Sequence, residues 1–265
     1  MPTIRSNGVW LHFEQDGDPS WPTVLLVHGF ASSADDNWLA SGWVKRFREA
    51  KRRTVRVDCR GHGRSEKPHE PAAYSLDLLA ADLEEVLRYA NARTVDLFGY
   101  SMGARISLHF LERKPARLRS VILGGIGANV LQGLPENDAI VAALEATDAS
   151  KITSPVGRVF REFALSRGND LRALAALRRG PRVAGPNREA LAKLELPALV
   201  WAGSKDNLVG DVAGLAALIP GARTVVIPGA DHLSAVANPA SFDAVLEFLA
   251  EVDRAPGARP APHIG

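Results

Sequence analysis

The stretch VDLFGYSMG, residues 95–103, constrains this chain more than any other. An apolar run of strand formers ends in Gly99-Tyr100-Ser101-Met102-Gly103, and a helix-competent segment, residues 104–113, comes directly after it. The order is strand, tight turn, helix. A serine at the apex of so short a turn requires neighbours without side chains two positions away on either side, because strand and helix pack closely there. Gly99 and Gly103 fill both places. Such a turn lifts the Ser101 hydroxyl above a sheet edge and sets the Met102 N–H at a helix start, where negative charge is favoured.

The rest of the chain supplies a sheet for that turn. Residues 3–16 alternate apolar and polar side chains around Asn7-Gly8, which predicts an antiparallel hairpin at the sheet edge, with His12 in an edge strand. Residues 23–27 form a continuous apolar run, as in a strand buried on both faces, and lead into His28-Gly29-Phe30. Residues 38–51 have helical spacing with Trp38, Trp43, Val44 and Phe47 as buried positions. A strand at 54–57 delivers the glycine-rich turn DCRGHGRS, residues 58–65. The clearest amphipathic helix is 75–91, where Leu76, Leu79, Ala80, Leu83, Val86 and Leu87 recur at three and four. Another buried strand lies at 118–123. Strands separated by helices at this spacing predict a parallel sheet with right-handed crossovers.

Between 129 and 195 the rhythm breaks. No apolar strand is visible there, only weakly helical segments at 138–145, 156–166 and 171–179, separated by Pro and Gly. The pattern then resumes with a strand at 198–202, a helix at 212–218, a strand at 223–227 and a closing helix at 239–251. The expected division is a core of residues 1–128 and 196–253, a helical cap of residues 129–195 and a flexible tail of residues 254–265.

Bulk properties narrow the function. With 32 basic and 30 acidic residues the formal net charge is +2, which gives no general pull towards nucleic acid. Cys59 is the single cysteine, so there is no internal disulfide and no cysteine-based metal site, and a reducing compartment fits. No leader pattern is visible at the N-terminus, and no apolar run is long enough to span a bilayer. The expectation is a cytoplasmic protein, monomer or homodimer, with no metal or organic cofactor and a small-molecule partner.

A serine of normal acidity is a poor nucleophile and needs a base within hydrogen-bond reach, with a third group to orient that base. Of the seven histidines, His12 falls in a strand, His69 and His263 in polar loops or the tail, and His109 in the helix after Ser101. His28 and His62 lie in glycine turns, where a structural hydrogen bond is the natural role. His232 differs: Gly229-Ala230-Asp231-His232 comes after the last strand, on the loop before the final helix.

These segments resemble the α/β-hydrolase superfamily in its esterase/lipase branch, over essentially residues 3–252. The residues that carry the resemblance are the HGF turn, DCRGHGRS, GYSMG, GSKD and GADH. It implies a mostly parallel eight-stranded sheet with helices on both faces and a small helical cap, and it makes GYSMG a nucleophile elbow. It also implies Ser101 as nucleophile, His232 as base and Asp206, on the loop after the penultimate strand, as the acid, in the hydrolase order. Asp231 adjoins the base but points away from it, and Asp211 suits a helix cap. The oxyanion hole would pair the Met102 amide with that of Phe30, whose ring would line the acyl pocket. Residues 58–65 would be a structural loop beside the site.

The activity that this resemblance implies is that of a carboxylesterase acting on a small-molecule ester through an acyl-enzyme. Thioesterase, lactonase or amidase chemistry on the same triad remains open, as does a catalytically silent ligand receptor. Serine at the elbow stands against haloalkane dehalogenases and epoxide hydrolases, which use an aspartate there. Ala104, where several subfamilies have a second glycine, and Phe30, where cofactor-free haloperoxidases carry Trp, stand mildly against the perhydrolase and carbon-carbon hydrolase branches. Within the cap, Arg158, Arg161, Arg167, Arg172, Arg178, Arg179, Arg182 and Arg188 form either a solvated helix surface or an attraction for carboxylate or phosphate substrates, acyl-CoA included. The cap's apolar residues Leu131, Leu134, Ile140, Val141, Val159, Phe160 and Phe163 would pack beneath it, and some could line an acyl channel.

Overall fold

The structure, a computed structural model, describes residues 3–133, 137–181 and 185–255. Eight strands form one sheet: β1 (Thr3–Ser6), β2 (Val9–Asp16), β3 (Thr23–Val27), β4 (Arg53–Val57), β5 (Val95–Tyr100), β6 (Leu118–Gly124), β7 (Ala198–Gly203) and β8 (Arg223–Ile227). Their spatial order is β1-β2-β4-β3-β5-β6-β7-β8. β1 and β2 pair antiparallel, as do β2 and β4, and every other neighbouring pair is parallel. The N-terminal hairpin therefore does lie at one end of the sheet. His12 does not sit on the edge, however: β2 is paired on both sides, and His12 is buried there.

The central strand β3 is apolar from Val24 to Val27 because both of its faces are covered. In β3, Leu25 and Val27 face one core and Val24 and Leu26 the other, as the two-residue period of a strand requires. The first core is closed by α2 (Leu76–Tyr89), α3 (Met102–Glu112) and α8 (Val212–Ala216), the second by α1 (Trp43–Glu49) and α9 (Pro239–Arg254). Ser75 caps α2 by accepting the Leu78 N–H at 3.2 Å, which fixes where that helix begins.

The helix expected over 38–51 is split. A short π-helical turn covers Asp35–Leu39, and Gly42, at φ 96°, ends it before α1 starts at Trp43. Trp38, Trp43, Val44 and Phe47 are buried all the same. Between β6 and β7 the described residues hold no strand, only α4 (Asn137–Glu145), α5 (Pro155–Ser166), α6 (Leu171–Arg179), α7 (Arg188–Leu191) and short turns. α4, α5 and α6 enclose an apolar cluster with Phe30 and Ala31 of the HGF turn, so they sit over the C-terminal end of β3. Among the described residues no helix is long and apolar enough to cross a membrane.

Candidate active site

Close packing around the turn after β5 accounts for both of its glycines. A Cβ on Gly99 would stand 2.5 Å from Ser107 Oγ and collide with the Gly103 carbonyl, and one on Gly103 would overlap the Val27 carbonyl and stand 2.8 Å from the His28 oxygen. β3, β5 and α3 touch here through bare backbone. Ser101 itself has φ 53° and ψ −110°, a region that costs a non-glycine residue about 1–3 kcal/mol. Its N–H bonds the Gly124 carbonyl at 2.8 Å, which ties the strained residue to β6.

Three distant segments meet above this turn. Ser101 Oγ lies 2.9 Å from His232 Nε2, and His232 Nδ1 lies 2.6 Å from Asp206 Oδ2. The Asp206 side chain is fully enclosed, and its Oδ1 accepts the Leu208 N–H at 3.1 Å. A carboxylate can only accept, so Nδ1 carries the ring proton and Nε2 presents its lone pair to the serine hydroxyl. The loops bearing Asp206 and His232 are laced together: Lys205 N–H bonds Ala230 O and Gly229 N–H bonds Ser204 Oγ. Asp231 is occupied elsewhere, accepting from Leu233 N–H, Ser234 N–H and Ser234 Oγ. Asp211 stands at the N-cap position of α8 but makes no side-chain capping bond, contrary to the expectation for it. Tyr100, which the sequence did not single out, donates its hydroxyl to the His232 carbonyl at 2.6 Å and so holds the loop that carries His232.

Phe30 and Met102 line the same cavity as Ser101. Met102 opens α3, where a first-turn amide has no intrahelical acceptor. The turn that holds Phe30 is shaped by side chains on both flanks. Asn37 Oδ1 accepts the Gly29 N–H at 3.0 Å, and His62 Nε2 accepts the N–H of Ala31, a residue at φ 57°, at 3.1 Å. His28 Nε2 accepts the Cys59 N–H at 3.0 Å, while its Nδ1–H reaches the Gly29 carbonyl at 2.8 Å. The two histidines thus do take structural bonds, and those bonds clamp the HGF turn to residues 58–65. Arg60 anchors that loop to α2 through Asp82, at 2.7 and 2.6 Å. Nothing in the sequence pointed to Asn37.

Burial, opposed mainly by Asp58, holds His28 below the usual histidine value of 6.5. Burial and the neighbouring His28 hold His62 well below it. An unfolded chain binds the protons these rings reject, so their contribution is complete above about pH 6.5 and is lost as the pH falls towards the folded values. Between about pH 7.5 and 5.5, urea unfolding is expected to lose about 1.4 kcal/mol for each ring that stays neutral. His62→Gln should lose less by about that amount, and an unchanged pH dependence in that variant contradicts the assignment.

Above the serine is a cavity of about 630 Å³ lined by Ser101, Met102 and His232 below and by Leu131, Ile140, Phe160, Leu177 and Arg178 above. Of the other apolar residues expected to pack between 129 and 195, Val141 and Phe163 pack, Val159 is exposed and Leu134 lies outside the described residues. Among the described residues no group of three or more His, Cys, Asp and Glu side chains is placed to hold a metal ion.

Residues 22–151 match the family model for the alpha/beta hydrolase fold. Epoxide hydrolase 3 of Mus musculus is 28% identical over 133 residues, 50% of this chain and 35% of that protein. The 2-hydroxy-6-oxononadienedioate/2-hydroxy-6-oxononatrienedioate hydrolase 2 of Pseudomonas putida is 28% identical over 268 residues, 90% of this chain and 91% of the other. The crystal structure of a hydrolase from Pseudomonas aeruginosa is similar with a TM-score of 0.75 at 27% identity, covering 94% of this chain and 97% of that one. Over the first curated relatives it matches, the chain spans 28% to 41% of their length. The named relatives therefore cover more than one chemistry, including a branch that Phe30 and Ala104 stood mildly against.

Proposed function

The chain belongs to the α/β-hydrolase superfamily, and from that premise we propose that it is a serine hydrolase cleaving carboxylic esters through an acyl-enzyme. The observation that carries this reading is the hydrogen-bond relay from Ser101 through His232 to Asp206. In this mechanism Ser101 Oγ attacks the ester carbonyl while His232 Nε2 takes its proton. His232 then gives that proton to the departing alcohol, and Asp206 stabilises the imidazolium in between. The negative charge that develops on the carbonyl oxygen is met by the amides of Phe30 and Met102, each of which contributes about 2.7–4 kcal/mol in sites of this kind. Water activated by the same histidine releases the acid.

Residues 129–195 act as the cap in this scheme, closing the acyl pocket over the serine. A hydroxyl at the elbow cannot form the alkyl ester to a carboxylate on which epoxide opening depends, so the likeness to Epoxide hydrolase 3 is read as shared fold. Thioesters, lactones and amides fit the same relay, and pocket shape decides among them. The test is a panel of p-nitrophenyl esters of graded acyl length beside matched thioester, lactone, anilide and epoxide substrates. The expected result is the highest kcat/KM on an ester, with a burst of p-nitrophenol equal to the enzyme present. Turnover of the epoxide alone, or of none of the panel by folded protein, overturns the reading.

A further inference from the structure

Arg178 lies on the last turn of α6 and lines the cavity that holds Ser101 and His232. Its Cζ is 4.7 Å from the centre of the Phe30 ring and 6.0 Å from that of Phe160. Stacking of this kind occupies the flat face of a guanidinium and leaves its fork of N–H donors in the plane, shaped to take a carboxylate with two parallel bonds. Among the described residues no carboxylate or carbonyl accepts from that fork, and Nε is buried with no acceptor at all.

Four other arginines of the cap have partners. Arg158 bonds the Ile152 carbonyl, Arg161 the carbonyls of Ala143 and Leu144, Arg167 pairs with Asp36, and Arg179 with Glu145. These arginines serve the cap surface, and Arg182 lies outside the described residues. Arg178 is half-buried and lines the cavity that holds the serine. Burial, with Arg105 nearby adding repulsion, pushes it down to about 10, which still leaves it charged at neutral pH. A partly buried cation without a negative partner is costly until something negative meets it. The same cavity also contains Asn137, whose Oδ1 is buried without a donor while its Nδ2 holds the Arg178 carbonyl at 3.2 Å.

We propose that Arg178 binds a carboxylate on the acyl arm of the substrate, so that the preferred ester is a half-ester of a dicarboxylic acid. Phe30 then serves both ends of the acyl group: its amide meets the carbonyl oxygen and its ring carries the guanidinium that receives the far carboxylate. The inference rests on the serine hydrolase reading for its turnover, but the binding it describes does not.

The test compares mono-p-nitrophenyl succinate, glutarate and adipate with neutral p-nitrophenyl esters of equal acyl length. For the best-fitting diacid, the wild-type protein should favour the charged ester, and Arg178→Met should lower the charged-to-neutral ratio of kcat/KM by about 10- to 100-fold, the size expected for a charge-assisted pair. Arg178→Lys, which keeps the charge and loses the fork, should fall between. Should Arg178→Met fail to fold, the wild type still decides: the free diacid should inhibit competitively where its neutral diamide does not. A ratio unmoved by Arg178→Met, no preference for any charged ester, or equal inhibition by diacid and diamide overturns the proposal. Calorimetric titration of Ser101→Ala with the diacid separates the two readings. Binding that Arg178→Lys weakens, in a protein that cleaves no ester, would remove the hydrolase reading and leave this one. Ester cleavage indifferent to charge would do the opposite.

Discussion

Ser101→Ala is expected to lower kcat for p-nitrophenyl acetate by about 10⁵- to 10⁶-fold, the largest effect of any single change in the chain. In the proposed mechanism the change deletes the oxygen that forms the covalent bond, and nothing nearby can replace it: the turn that presents Oγ is fixed by backbone contact among β3, β5 and α3. The residue stays small, so the elbow keeps its geometry and the ester still binds. KM should therefore move far less than kcat. The residual rate would come from the Phe30 and Met102 amides and from water positioned by His232. Steady-state kinetics on protein freed of contaminating esterase by a second chromatographic step decides it, and a kcat within tenfold of the parent contradicts the assignment.

Asp206→Asn is expected to cost about 10⁴-fold in kcat with the fold intact. The two oxygens of Asp206 have different partners, Oδ1 the Leu208 amide and Oδ2 the His232 Nδ1. In the variant the amide carbonyl is held by Leu208 N–H, which turns the NH₂ group towards the ring. A donor there forces Nδ1 to accept, so the ring proton moves to Nε2 and the lone pair that should receive the serine proton is gone. Asn and Asp have nearly the same volume, so unfolding by heat should change little. Kinetics that fall by less than about tenfold would mean that Asp206 does not set the tautomer.

Both expectations depend on residues whose neighbourhoods were legible for different reasons. The elbow could be read because its requirement is local: Gly99 and Gly103 are demanded by atoms that any strand-turn-helix of this tightness brings together. The buried strand β3 could be read because it is covered on both faces and so is apolar from Val24 to Val27. Asp206 and His232, the proposed acid and base, are singled out by their place after the last two strands, which the resemblance supplied. The splitting of the helix at Gly42 was missed because Trp38, Trp43 and Phe47 keep helical spacing across the break. His12 was misplaced because a paired second strand and an edge strand alternate in the same way, and only the partner β4 distinguishes them.

The supporting residues were harder to see. Asn37 and Tyr100 act through one hydrogen bond each, to Gly29 and to the His232 carbonyl, and neither bond leaves a pattern in the chain. Arg178 looks like the seven other arginines in its region because its place beside the serine cavity is set by packing against Phe30 and Phe160, and composition carries no trace of it. Side-chain chemistry at the turn was written locally, whereas its support was written across the fold.

The most direct measurement is mass spectrometry of the folded protein after exposure to a serine-reactive fluorophosphonate, with esterase activity followed in parallel. One phosphonyl adduct per chain is expected, located on Ser101, with activity lost in proportion to labelling and no adduct on Ser101→Ala. An ester-cleaving protein that stays unlabelled, or an adduct on any other residue that abolishes activity, would contradict the assignment of Ser101 as the nucleophile.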